Sequence, residues 1–134
     1  MEYKKKLIKA VYLYGAALDG LMSLLMTISM FFPTVIIPYS SFSKEYQFAM
    51  GWAAALMFGW TVLLFWGHFK PIERKSVLLM TIFPVVIGLT LTSMYVDLLG
   101  LLQIWLYQLI GCIGPLIIAF SLALRIDKSR KDVV

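Results

Sequence analysis

Asp19 offers the most chemistry in this chain, because it is a carboxylate near the middle of an apolar run from Leu7 to Phe32. At about 1.5 Å per residue, roughly 20 apolar residues cross the hydrocarbon core of a bilayer, and this run exceeds that even when counted from after Lys9. A carboxylate at such depth costs roughly 2.5 to 3.5 kcal/mol on insertion scales, so these residues face a bundle interior and mark a site. Spacings of three and four residues put Tyr12, Gly15 or Ala16, Asp19, Ser23, and Met26 or Thr27 on one helix face. Thr81, Pro84, Gly88, Thr92 and Tyr95 share a second face, and Gln108, Gly111 or Cys112, and Pro115 a third. If neighbouring helices alternate in direction, Asp19 lies level with Gly59, with the stretch from Val86 to Gly88, and with Gly111 and Cys112. Pro84 cannot donate to the carbonyl of Met80, nor Pro115 to that of Gly111, so both helices are expected to bend and leave an acceptor at mid-depth.

Low dielectric favours the neutral acid, and no basic residue lies at similar depth to hold the charged form. Asp19 is therefore expected to be neutral at rest and bonded across the bundle to a freed carbonyl or to Gln108. It would exchange that bond or its proton when something binds. Tyr12, Ser23, Thr81, Thr92 and Gln108 complete the expected ligand- and proton-binding set. The plainer alternative is that Asp19 joins two helices and never turns over.

The other reactive side chains carry less. His68 falls beside Lys70 at the end of an apolar run, where an interfacial or headgroup role is as good a reading as a catalytic one. Cys112 reads as an inert buried thiol. Met22, Met26 and Met30 form a stripe better explained by adaptable packing than by a soft-metal path, since no histidine accompanies them. One histidine and one cysteine make no metal, haem or Fe–S ligand set, so neither a metal nor a cofactor is expected. A membrane enzyme is the least favoured class, because the chain has no nucleophile–base pair, no HExxH, no phosphate-binding glycine loop and no paired carboxylates.

The elements that must position Asp19 follow from composition. With 61% hydrophobic and only 14% charged residues, the chain lies outside the range of ordinary soluble domains. It reads as one all-α membrane domain over 1–134, an antiparallel up-down four-helix transmembrane bundle with spans of about 7–32, 48–69, 71–95 and 101–124. Residues 1–6 read as a basic tail, and the first run is too long for a signal-peptide core. Pro33, Pro38, Ser40, Ser41 and Ser43 mark a loop over 33–47. Pro71 suits the first turn of the third span, and Asp97 and Gly100 mark a tight link to the fourth. Gly51, Ala55 and Gly59 recur every four residues in the second span, a small-residue stripe that suits helix packing within the bundle or between subunits.

The +5 net charge does not point to nucleic acid, since the basic residues cluster at the ends of apolar runs and form no aromatic-interleaved stripe. They report topology instead. Lys4, Lys5, Lys6 and Lys9, then Lys70, Arg74 and Lys75, then Arg125, Lys128, Arg130 and Lys131 all fall on one side, against Lys44 alone on the other. By the positive-inside rule both termini and the turn at 70–75 are expected to be cytoplasmic in the cell membrane. Trp52, Trp66, Trp105, Tyr39, Tyr46 and Tyr95 fall near span ends, as interfacial belts prefer.

Two stretches carry a resemblance. The string YLYGAALDG, residues 12–20, resembles the first helix of the small multidrug resistance transporters, four-span chains with a membrane-embedded acid early in that helix. That likeness implies that Asp19 is a proton- and drug-binding carboxylate working in a dimer, although the acid is Asp where that family has Glu. Residues 51–89, GWAAALMFGWTVLLFWGHFKPIERKSVLLMTIFPVVIGL, are similar to a segment of small uncharacterised four-span prokaryotic membrane proteins, a likeness that brings no activity. The expectation is thus a carrier or binding bundle for a small hydrophobic or cationic solute, or else a non-catalytic accessory subunit. Its expected partners are the lipid bilayer, a second copy of itself and a small lipophilic ligand.

Overall fold

The structure is a computed structural model that describes residues 2–32, 42–96 and 107–131. The elements are α1 (Glu2–Phe31), α2 (Lys44–Phe69), α3 (Ser76–Met80), α4 (Ile87–Val96) and α5 (Gly114–Lys131). A π-helical stretch, Thr81–Val86, joins α3 to α4, and a second, Gln108–Ile113, leads into α5. Among the described residues, four segments are long and apolar enough to cross a membrane: α1, α2, Ser76–Tyr95 and Gln108–Ser129. Among the described residues there is no strand.

Helix α1 begins at Glu2, so the lysines expected as a tail are helical. Lysine is a good helix former, and Glu2 pairs with Lys6 one turn later at 3.5 Å. Hydropathy changes at Leu7, where Lys4–Lys6 give way to the apolar run, but nothing there stops a helix. The same holds at the other end, where α5 continues through Arg125 to Lys131 rather than stopping at 124. The loop expected over 33–47 is also shorter on its far side. Ser43 caps α2, its backbone extended (φ −95°, ψ 164°) and its hydroxyl accepting from the Tyr46 N–H at 3.2 Å. Residues 33–41, with Pro33, Pro38, Tyr39, Ser40 and Ser41, lie outside the described residues, as do the Asp97–Gly100 link, Trp105 and the expected start of the fourth span at 101.

The third span was expected from Pro71, but its helix starts at Ser76. Residues 70–75 instead form turns, closed by Lys70 N–H to the Gly67 carbonyl (3.2 Å) and Arg74 N–H to the Lys70 carbonyl (3.0 Å). Side chains tie this corner to both neighbouring helices. The Tyr12 hydroxyl donates to the Arg74 carbonyl at 2.7 Å. The Arg74 guanidinium folds back on α2, donating to the Trp66 carbonyl with Cζ 3.5 Å from the centre of the Trp66 ring.

Pro84 interrupts its helix as expected: Phe83, just before it, is extended (φ −130°, ψ 120°), a conformation that the residue before a proline prefers. The bend expected at Pro115 takes another form. Pro115 sits in the first turn of α5, where its missing N–H costs little, and the irregularity lies upstream in the wide turns of Gln108–Ile113. The Gly114 N–H there reaches the Leu109 carbonyl, five residues back.

Helices α1 and α2 pack with partners in reverse order. Gln47 donates to the Met30 carbonyl (3.2 Å), Ser23 to the Ala54 carbonyl (2.9 Å), and His68 Nδ1 meets the Lys9 carbonyl (3.0 Å). Between these, Gly20 lies against Thr61, Gly15 against Leu64 and Gly67 against Tyr12. A Cβ added at Gly67 would sit 2.9 Å from Tyr12 Cδ1, 3.0 Å from Cζ and closer still to Cε1, so only glycine admits the ring. The stripe Gly51, Ala55, Gly59 does not follow this face. Gly51 touches Met30, but Ala55 is exposed and a Cβ at Gly59 would meet nothing within 4 Å. Steps of four residues drift about 40° each on a 3.6-residue helix, so by Gly59 the stripe has turned about 80° away. The packed face runs through Gly51, Ala54, Thr61, Leu64 and Gly67.

The core gathers toward the lysine-rich ends of the helices. Ile8, Tyr12 and Ala16 of α1 meet Leu64 of α2, Ile72 of the turn, Val77, Leu78, Ile82 and Val86, and Leu116, Ala119, Ala123 and Ile126 of α5. Lys75 and Asp127 form an ion pair that ties the start of α3 to α5. Outward, the surface is apolar over most of its height, with Trp52, Leu56, Phe58 and Ile110 all exposed.

Candidate functional site

Asp19 occupies a seam rather than the middle of the α1–α2 interface. Tyr12, Ala16 and Ser23 point at α2 and are buried, whereas Asp19 borders a narrow cavity of about 30 Å³ among α1, α2, the Thr81–Val86 stretch and the start of α5. Its walls are mostly apolar, from Leu18, Leu64, Val86, Pro115 and Leu116. Four residues with polar side-chain groups interrupt them: Tyr14, Asp19, Thr81 and Cys112. No Lys, Arg or His among the described residues lines it. Among the described residues, no side chain hydrogen-bonds or ion-pairs with the Asp19 carboxyl. At roughly 10 to 15 Å³ per enclosed water, the space holds about two waters.

The two irregular stretches meet here, which fits the rule that wide helical turns collect where a site needs unusual backbone. Val86 and Cys112, both expected at the depth of Asp19, are in the wall, while Gly59 faces outward. Thr81 also lines the cavity, but its hydrogen is committed: Oγ1 donates to the Val77 carbonyl at 2.7 Å. The same oxygen accepts from Trp60 Nε1 at 3.0 Å, which links α2 to the third span. Thr81 can therefore accept from a protonated Asp19 but cannot donate to it without giving up Val77.

The other members of the expected set are elsewhere. Tyr12 is fully buried beneath the 70–75 turn, with its hydroxyl on Arg74. Ser23 spends its hydrogen on Ala54, one turn from Asp19. Thr92 is exposed and donates to its own Gly88 carbonyl at 2.9 Å. Gln108 does not line the cavity, and its Oε1 is buried without a hydrogen-bond partner among the described residues. The expected Asp19–Gln108 bond is not made. Among the described residues, no three His, Cys, Asp or Glu side chains gather as a metal site.

Trp60 and Tyr14 are the contributors that sequence reasoning passed over. Trp60 lies far from both ends of α2, where an indole N–H in an apolar span must find an acceptor, and that requirement is a readable signal. Tyr14, in the cavity wall with its hydroxyl near Gly111, had no signal beyond being polar. Comparison with protein-family models, with curated proteins and with solved structures finds no match to this chain.

Proposed function

We propose that this chain is an antiparallel up-down four-helix bundle in the cell membrane, both termini cytoplasmic, that binds or carries a small hydrophobic or cationic solute through Asp19. The observation that carries this reading is the Asp19 carboxyl in an apolar interhelical cavity without a hydrogen-bond or ion-pair partner among the described residues. Asp19 is half-buried, and a carboxyl held against apolar walls without a bonded partner costs stability, which favours a use beyond packing. Two irregular helical stretches beside it are the kind of backbone that carriers place at their sites. A cavity of about two waters suits a proton, so a bulkier solute enters only when the helices part. Ala55 and Gly59 on the open side of α2 leave room for a second copy to approach closely.

The same small volume favours a second reading, a non-catalytic accessory subunit in which Asp19 bonds one trapped water. One comparison separates the two: wild type against Asp19→Asn, in detergent and in liposomes, following thermal stability against pH and proton release on adding tetraphenylphosphonium. A folded variant that has lost proton release supports the carrier. No release from either protein, with stability lost in the variant alone, supports the accessory reading. Topology has its own check, since cysteines introduced at 70–75 in a Cys112→Ser background should react with impermeant reagents only from the cytoplasmic side.

A further inference from the structure

We infer that the groove between the start of α1 and the 70–75 turn binds the phosphate-bearing headgroup of an anionic phospholipid. The groove has a volume of about 220 Å³, several times that of the Asp19 cavity. Lys5, Lys9 and Lys70 face it together with one carboxylate, Glu73, and its floor is apolar, from Phe69 and Ile72 beside Pro71.

The charge balance within it is one-sided. Glu73 is already paired with Lys70 at 3.2 Å, Lys6 turns away to Glu2, and Lys75 to Asp127. Among the described residues, Lys5 and Lys9 have no carboxylate within ion-pair distance. They stand one helical turn apart, where two like charges repel unless an anion lies between them. The walls are also held in place. His68 Nδ1 donates to the Lys9 carbonyl, Tyr12 binds the Arg74 carbonyl, and Arg74 lies on Trp66, so little order has to be gained on binding.

The choice of a lipid over a free anion comes from Phe69 and Ile72. Ile72 is buried and fixes the floor, while the Phe69 ring is exposed beside the lysines and stacks edge-on against His68 and Phe65. Inorganic phosphate would gain nothing from that apolar surface; a glycerophosphate with acyl chains would meet ammonium groups and ring together. This inference rests on the membrane reading above, which sets the groove at the cytoplasmic interface where anionic headgroups lie.

The test reconstitutes the full chain in mixed phosphatidylglycerol and phosphatidylcholine vesicles. It checks flotation first, then extracts the protein in mild detergent and counts retained lipids by native mass spectrometry. Each lysine beside a lipid anion is worth about fivefold, so Lys5→Gln/Lys9→Gln should lower phosphatidylglycerol enrichment about twentyfold or more. Lys4→Gln/Lys6→Gln removes the same charge outside the groove and should retain the enrichment. Circular dichroism establishes that both variants keep their helix. Equal retention of the two lipids by wild type, or equal loss in both variants, overturns the site while leaving the membrane reading intact. Displacement of the lipid by inorganic phosphate at matched concentration overturns the lipid assignment. Failure to float overturns the membrane reading and this inference together.

Discussion

Gly67→Ala offers a sharp test of how α1 and α2 are held together. The added methyl would fall within about 3 Å of several Tyr12 ring atoms, and that ring has no exposed surface and is bonded through its hydroxyl to Arg74. It cannot swing aside, so relief requires the helices to separate. Overpacking of this kind costs about 3 kcal/mol at the upper end, of which about 1 kcal/mol is returned because alanine replaces glycine in a helix interior. The net loss should be about 2 kcal/mol, roughly a 30-fold drop in the ratio of folded to unfolded protein. Gly59→Ala is the matched control, since it meets nothing within 4 Å and keeps only the favourable part, a gain of up to about 1 kcal/mol. Thermal unfolding of detergent-purified protein, followed by circular dichroism, compares the two. Adding Tyr12→Ala to Gly67→Ala removes the clash, so the double variant should be less destabilised than the sum of the singles by about 1 to 3 kcal/mol. Equal melting of Gly67→Ala and wild type would refute the argument, as would a Gly59→Ala variant that melts as low as Gly67→Ala.

Two smaller predictions concern the interhelical hydrogen bonds. Ser23→Ala should cost about 0.6 kcal/mol and no more than about 1.7, the range for hydrogen bonds between membrane helices, with no change in proton release from Asp19. Thr81→Val should cost about 1 to 3 kcal/mol by stranding the Trp60 indole N–H, and Trp60→Phe in the same background should recover part of it. A double-mutant cycle with no coupling between 60 and 81 would remove that link from the account.

Much of the helical layout is legible because it rests on one property, the length of each apolar run. The break at Pro84 is legible for an equally local reason, the missing N–H and the crowding of Phe83. Helix ends are not, since hydropathy changes at Leu7 and at Leu124 but helix propensity does not. The start at Ser76 was hidden for a different reason. Pro71 signals a first turn, yet the corner is also set by Tyr12, a partner far off in sequence, and by Arg74 folding back on Trp66.

Asp19 was singled out by type and depth and Thr81 by type and helix face, and both line the cavity. Spacing alone did not reveal that Tyr12, Ser23 and Asp19 diverge, because a face shared on paper spans a wide arc and a seam divides it. Nor did it reveal which small residues pack. A strict four-residue stripe looks like a groove in sequence, but the observed contacts at 51, 54, 61, 64 and 67 keep to steps of three or of seven.

The order of the ties along the chain has a consequence for biosynthesis. Every partner that α1 finds on α2, from Gln47 to His68, exists once residue 68 has been made. The acceptor for the Tyr12 hydroxyl follows six residues later at Arg74, whereas the carboxylate that Lys75 pairs with is Asp127, near the end. A helical hairpin can therefore close while the rest is still being synthesised, and short-range closure of this kind is fast. The last tie waits for nearly the whole chain, so a product that stops before α5 keeps the hairpin but loses the Lys75–Asp127 tie, the α5 side of the core and the Pro115 and Leu116 wall of the Asp19 cavity.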